Sequence, residues 1–182
     1  MRLGGIRKPA LLLPITLLFY TALIVTTFSM IFYARDRFQA SAAVIGWLAA
    51  VPHLCYFGGC FALRPLSRLV LPRYSLILAT AAAAAALTGM LVVRSLPPLF
   101  ILYGLFGFCQ ALFWPPLMGW LSSGEEKEEL NKTLGRFNLS WSGGNIIAPG
   151  VAGLLLQRGL GLPFRMAALI MAAICLTVLL VS

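Results

Sequence analysis

The chain has 182 residues, 60% of them hydrophobic and only 10% charged, with a mean hydropathy of +0.93. Ordinary soluble domains carry about a quarter charged residues, so a water-soluble fold is excluded: it could not hide this much apolar surface. The net charge of +9 does not point to nucleic acid, because the basic residues are scattered over the connections between apolar runs and form no stripe.

In lipid every backbone N–H and C=O must be satisfied within its own segment, which leaves helices or a closed barrel. The polar/apolar alternation of barrel strands is absent, and runs such as Leu76 to Val93 are apolar on all sides. Windows as long as a bilayer is thick predict six helical spans near 10–34, 41–63, 74–93, 97–121, 134–157 and 163–181, forming a single transmembrane domain over 1–182.

The first span follows Arg7 and Lys8 and is too long for the roughly 7 to 15 apolar residues of a signal peptide, so it is read as retained. Thr16, Tyr20 and Thr27 share one of its faces. The second span carries Trp47, Pro52, Gly58, Gly59 and the single histidine, His53. Intramembrane ionisable groups are functional suspects, and an imidazole changes charge near neutral pH. His53 is therefore a candidate protonation site, set against a neutral imidazole hydrogen-bonded to a neighbouring helix. In the third span the run Ala81 to Ala86 lets another helix approach closely.

The fourth span places Tyr103, Gly107, Gln110 and Trp114 four, three and four residues apart, on one face. The connection Ser122 to Lys132 is the one strongly polar segment. Ser123 with Glu126 has the form of a capping box, which predicts a short surface helix there. The charge run Glu125 to Glu129 reads as a solvated face or a docking site. The fifth span repeats the spacing of the fourth with Asn138, Ser142, Asn145 and Pro149, and adds Trp141. Facing one another, the three stripes predict a partly polar, aromatic-walled cavity for a small organic solute. The alternative is that the amides and hydroxyls bond between helices while the rings fill volume.

Six antiparallel passes put both termini on one side. With that side cytoplasmic, the segments there hold Arg2, Arg7, Lys8, Arg64, Arg68, Arg73, Lys127, Lys132 and Arg136, against Arg35, Arg37, Arg94, Arg158 and Arg165 outside. The positive-inside bias therefore predicts a multi-pass protein of the cell (plasma or inner) membrane with both termini cytoplasmic. The sequons at Asn131 and Asn138 then fall on the cytoplasmic side and inside a span, where no glycan is expected.

The most specific pattern is in the fifth span. Gly135, Gly144, Ala148-Pro149 and Ala152-Gly153 follow the spacing glycine, eight residues, glycine, three residues, Gly-Pro, two residues, Gly-Gly, with alanine in two glycine positions. Small residues four apart let helices touch backbone to backbone, and proline bends a helix; a moving helix needs both. The second and fifth spans also correspond to each other in their Trp, Gly and Pro content, as a three-plus-three repeat would leave behind.

This spacing is similar to the fifth-helix signature of the major facilitator superfamily, and six spans match one six-helix half, here the N-terminal one, of its twelve-helix fold. The resemblance covers essentially the whole chain. It implies an all-α bundle built as a 3+3 inverted repeat, with solute held between two such halves. The signature is associated with antiporters and also occurs in members that do not exchange, so the mode of coupling stays open. Between the second and third spans the family usually has a glycine, an Asp-Arg pair and basic residues. Here stand Gly59, Arg64, Ser67, Arg68 and Leu71-Pro72-Arg73 with no acid, which implies a different latch or none. Many proton-coupled members have an arginine four residues before a glycine of the fourth span. Here Tyr103 and Phe100 hold those positions before Gly107 and Gly104, so coupling through that arginine is not implied.

Cys55, Cys60, Cys109 and Cys175 lie in apolar runs without ligand spacing and read as packing residues; no metal, cofactor or disulfide framework is expected. A membrane enzyme is disfavoured. The lone histidine is far from any nucleophile elbow, and the one aspartate, Asp36, is in a connection. The reading reached is a transporter half whose first, fourth and fifth spans line a pathway, working in lipid with a small solute and a second six-helix half. That half is either missing at the C-terminus or supplied by a second copy. The alternative is a non-transporting fragment or six-helix scaffold that needs such a partner.

Overall fold

The computed structural model describes residues 8–65, 70–124 and 127–181, and among them every regular element is a helix. These are α1 (Lys8–Phe38), α2 (Ala42–Ala62), α3 (Pro72–Val92), α4 (Leu96–Ser122), α5 (Lys127–Arg158) and α6 (Leu162–Leu180). Each is long and apolar enough to cross a bilayer, and the chain is a multi-pass membrane protein.

Local chemistry sets the ends. Ser41 begins α2 by accepting the Val44 N–H at 3.4 Å, and Pro72 opens α3, where its missing N–H costs nothing. After α1 the chain turns at Gln39 with a left-handed φ of 51°.

The polar connection does not form a helix of its own. α4 continues through Ser122, and from Lys127 the chain is already α5, unbroken for 32 residues. No glycine or proline lies between Lys127 and Leu134 to stop it. Glu128 and Glu129 sit in the first turn, where acids offset the helix dipole. Lys132 Nζ bridges them at 3.0 and 3.2 Å. Glu126, the expected capping partner, and Arg68 lie outside the described residues.

α1 packs along α5 and α6, α4 along α2 and α3, and α3 against α6. Replacing each helix by the one three places along turns α1–α5 into α4–α2 and α1–α6 into α4–α3, and leaves α3–α6 as it is. Leu17 and Thr21 lie beside Gly144, with Val25 beside Ala148, so α1 and α5 run parallel. Val51 and Cys55 beside Gly104, and Ala111 beside Gly59, make α2 and α4 parallel as well. Arg73 at the start of α3 reaches the Leu179 carbonyl near the end of α6 at 3.3 Å, so that pair is antiparallel. Successive passes cross in opposite senses, and a shift of three reverses direction: the bundle is a 3+3 inverted repeat.

The core runs along α1, α3, α4 and α6, with Phe19 stacked on Phe113 at 3.5 Å and Phe106, Phe164 and Tyr33 fully buried. Of α2 and α5, only 17% of each span is buried, against 33 to 44% of the others, so these two stand at the rim.

Two polar ties hold helix ends inside this apolar body. Pro116 cannot donate to the Leu112 carbonyl, its partner one turn earlier; Ser75 of α3 donates to that carbonyl instead, at 2.7 Å. At the last turn of α3, Tyr33 Oη donates to Met90 O at 2.7 Å. Arg37 donates to Leu91 O at 3.2 Å, Val93 O at 3.0 Å and Tyr33 Oη at 2.6 Å. A guanidinium there meets carbonyls that a helix end leaves unpaired.

Candidate functional site

Two close crossings organise the site. At one, Gly107 of α4 lies against the backbone of Pro52 of α2, and Gly59 faces Ala111 and Phe108. At the other, a Cβ on Gly144 of α5 would sit 3.2 Å from the Leu17 carbonyl and Thr21 N of α1. Helix backbones meet at both: Gly107 has no room for a Cβ, and at Gly144 one would fit only tightly. The α1–α5 and α4–α2 pairs touch each other only slightly, and a cavity of about 570 Å³ lies between them, the size of sites that take small organic ligands.

α1 contributes Tyr20, Leu23, Ile24 and Thr27 to its wall, and α2 contributes Pro52, His53 and Tyr56. From α4 come Gln110, Trp114 and Met118, and from α5 Phe137, Asn138 and Trp141. α3 and α6 supply none of these residues. The aromatic side is continuous: Tyr20 lies 4.8 Å from Trp141 and 6.1 Å from Trp114, and Trp114 meets Phe137 edge-on at 6.3 Å. The same wall carries two amides, hydroxyls and one imidazole. No Asp, Glu, Lys or Arg lines the wall among the described residues. Such a surface can stack a ring and satisfy hydroxyls or amides by hydrogen bonds, and it holds no fixed ion pair for a charged ligand.

A family model described as Major Facilitator Superfamily matches residues 12–182. The chain belongs to the Major Facilitator Superfamily. It is similar in structure to the E. coli fucose:proton symporter FucP, with a TM-score of 0.82 and 16% sequence identity over 99% of this chain and 44% of that one. The chain thus spans less than half the length of that structure. No curated protein matches the sequence.

Within this superfamily fold, the predicted stripes are split by the packing. Tyr20, Thr27, Gln110, Trp114, Asn138 and Trp141 come together on the cavity wall, and His53 joins them. Thr16 does not: it is fully buried, its hydroxyl donating to its own Leu12 carbonyl at 2.9 Å. Tyr103 is buried as well and borders a separate small pocket with Thr27 and Leu48. Ser142 is half-buried and Asn145 exposed, both off the wall.

The fifth-helix pattern divides in the same way. Gly144, Ala148 and Ala152, four residues apart, are buried, with Gly144 against α1 and the two alanines beside Val25. Nothing lies within reach of a side chain at Gly135 or Gly153, and Pro149 is exposed. Of the basic residues expected between α2 and α3, Arg73 donates to the end of α6 and lies over Tyr74 at 5.6 Å. Arg64 borders a second cavity of about 190 Å³ with Cys60, Ser75 and Pro116.

The contribution of α2 is what the sequence stripes missed. Pro52, His53 and Tyr56 fall at i, i+1 and i+4, one helical face; the sequence points to His53 singly and to no stripe on this span, and Tyr56 carries no signal there. Gly107, read as one member of a polar stripe, is instead the crossing point that brings this face to the cavity.

Proposed function

We propose that this chain is one half of a secondary transporter and carries a small uncharged, hydroxyl-bearing solute across the membrane by alternating access. The cavity carries the reading. It is walled by the two loosely joined helix pairs, lined by amides, hydroxyls and indole faces, and free of fixed charge among the described residues. In a 3+3 repeat fold the midplane surface between repeats is where solute sites form. The structural neighbour is a fucose:proton symporter by description, and a sugar ring is the kind of solute such a wall suits.

The other side of the site is a second six-helix half. Its need is supported by the thin burial of α2 and α5 and by the 44% coverage of the neighbour. The half is either a further stretch of the same polypeptide or a second copy of this one. Nine basic residues against five support cytoplasmic termini in the cell membrane.

The test is reconstitution of the full-length protein into liposomes, with influx of labelled neutral hexoses and polyols measured alongside oligomer size. Influx above empty vesicles that Trp141→Ala and Gln110→Ala each reduce severalfold at low solute concentration supports transport through this cavity. A protein that moves none of them, in a particle of one six-helix unit, favours the scaffold reading.

A further inference from the structure

A second recess lies at the end of the bundle where α2 leads into α3. It holds about 190 Å³ between α2, α3 and α4, above the roughly 150 Å³ at which an apolar cavity takes a benzene-sized guest. A proline pair marks its wall. Pro115 and Pro116 have no N–H, so the Ala111 and Leu112 carbonyls lose their helical donors; Ser75 of α3 donates to Leu112 O instead, and all of these residues line the recess. Leu63, Val70 and Leu78 extend the wall with apolar surface. Arg64 is its one charged member, with no acid beside it among the described residues. Leu78 also belongs to the outer face of α3. Tyr74, Leu78, Ala81, Ala85, Thr88 and Val92 are exposed at the spacing of one helical stripe, and the Thr88 hydroxyl is satisfied by its own Ala84 carbonyl at 2.8 Å. α3 gives nothing to the cavity between the helix pairs, so in a bilayer this apolar face meets lipid.

We propose that this recess binds an anionic phospholipid, with part of one acyl chain in the recess and the phosphate on Arg64. An apolar hollow open to the bilayer is filled by chain methylenes, because an empty one forfeits the dispersion contacts of its lining. The depth of each group matches such a molecule. α2 ends at Ala62, and Arg64 follows where the chain leaves the helix, while Leu78 lies six residues into α3, about 9 Å along its axis. A phospholipid has the same order, phosphate outermost and methylenes below. The Arg64 guanidinium offers five N–H donors in a planar fork that suits phosphate oxygens, enough to serve its contact within the chain as well as a ligand. Preference for a net negative head follows from the neighbours. Arg73 donates to the end of α6 and is not on the wall, but its charge near the start of α3 adds to the attraction for an anion and opposes the ammonium of a zwitterion. The site needs only residence in a membrane and does not rest on the transport reading.

The full-length protein, in detergent, is incubated with phosphatidylglycerol, phosphatidylethanolamine or phosphatidylcholine, and the lipid each molecule retains is counted by native mass spectrometry. Phosphatidylglycerol is expected to be held about fivefold or more better than either zwitterionic lipid, and Arg64→Gln to remove that preference. Arg94→Gln, in the connection after α3 at the opposite end of the bundle, is expected to leave it intact. Leu78→Trp fills the recess while keeping Arg64, and is expected to weaken retention severalfold. All three positions are exposed, and a thermal midpoint like the parent's shows that each variant is folded. In nanodiscs, phosphatidylglycerol carrying a diazirine in one acyl chain is expected to crosslink the parent protein at Cys60, Leu78 or Leu112. Equal retention of the three lipids, equal losses in the Arg64 and Arg94 variants, or crosslinks scattered along the face from Tyr74 to Val92 overturn the proposal. Displacement of the lipid by glycerol phosphate, which has the anionic group and no chain, assigns the site to a soluble phosphate and overturns it as well.

Discussion

Gly107 of α4 rests against the backbone of Pro52 of α2, with no space between them for a methyl group. This contact brings α2 alongside α4 and so places His53 and Tyr56 opposite the rings of α1 and α5. Gly107→Ala is expected to force the two helices apart. Overpacking of this kind costs about 1–3 kcal/mol, read as a lowered thermal midpoint in detergent. Gly58→Ala, with nothing within reach of the new methyl, is the control and is expected to leave the midpoint unchanged. Equal midpoints for the two variants would refute the crossing.

The bond from Ser75 to Leu112 O answers a vacancy created by Pro116. Ser75→Ala is expected to destabilise the protein by about 1–2 kcal/mol, since a buried carbonyl loses its partner. In a Pro116→Ala background, where the new N–H can bond that carbonyl, the same change is expected to cost much less. A double-mutant cycle on thermal or denaturant stability measures the coupling, and simple additivity would count against it.

Arg37 joins the end of α1 to the last carbonyls of α3. Arg37→Met is expected to lower stability by about 1 kcal/mol, the scale of a cation at a helix C-terminus, and to speed hydrogen exchange in the last turn of α3. Arg37→Lys keeps the charge but not the planar fork, and is expected to fall between. Unchanged exchange in the Met variant would show that the turn does not depend on the guanidinium.

On the cavity wall, Gln110→Ala and Asn138→Ala are each expected to weaken solute binding about five- to tenfold, the loss of one hydrogen bond of about 1–1.5 kcal/mol. Asn145→Ala, on the same helix as Asn138 but exposed and off the wall, is expected to bind as the parent does. Binding followed by tryptophan fluorescence checks this, since Trp114 and Trp141 line the site. An effect at Asn145 equal to that at Asn138 would move the site elsewhere.

The number of passes, their helical form and the medium they need were legible in the sequence, because the cost of an unpaired peptide group in lipid acts on each segment alone. The same locality explains why Gly144, Ala148 and Ala152 stood out: spacing along one helix is enough to draw a stripe. It also explains why Ser122 to Lys132 reads as a separate element, although nothing from Lys127 onward stops α5 from starting.

Which stripe faces which was decided only by the tertiary structure. Tyr103 and Gln110 lie on one face of α4, yet one is sealed among α1 and α2 while the other lines the cavity, because α4 touches different neighbours along its length. Thr16 and Tyr20 part in the same way. Helical periodicity fixes a side chain's angle about its own axis, and that is local. Whether the angle points at a neighbour or at open space depends on where glycines such as Gly107 and Gly144 let two backbones meet, and those contacts join residues far apart in the chain.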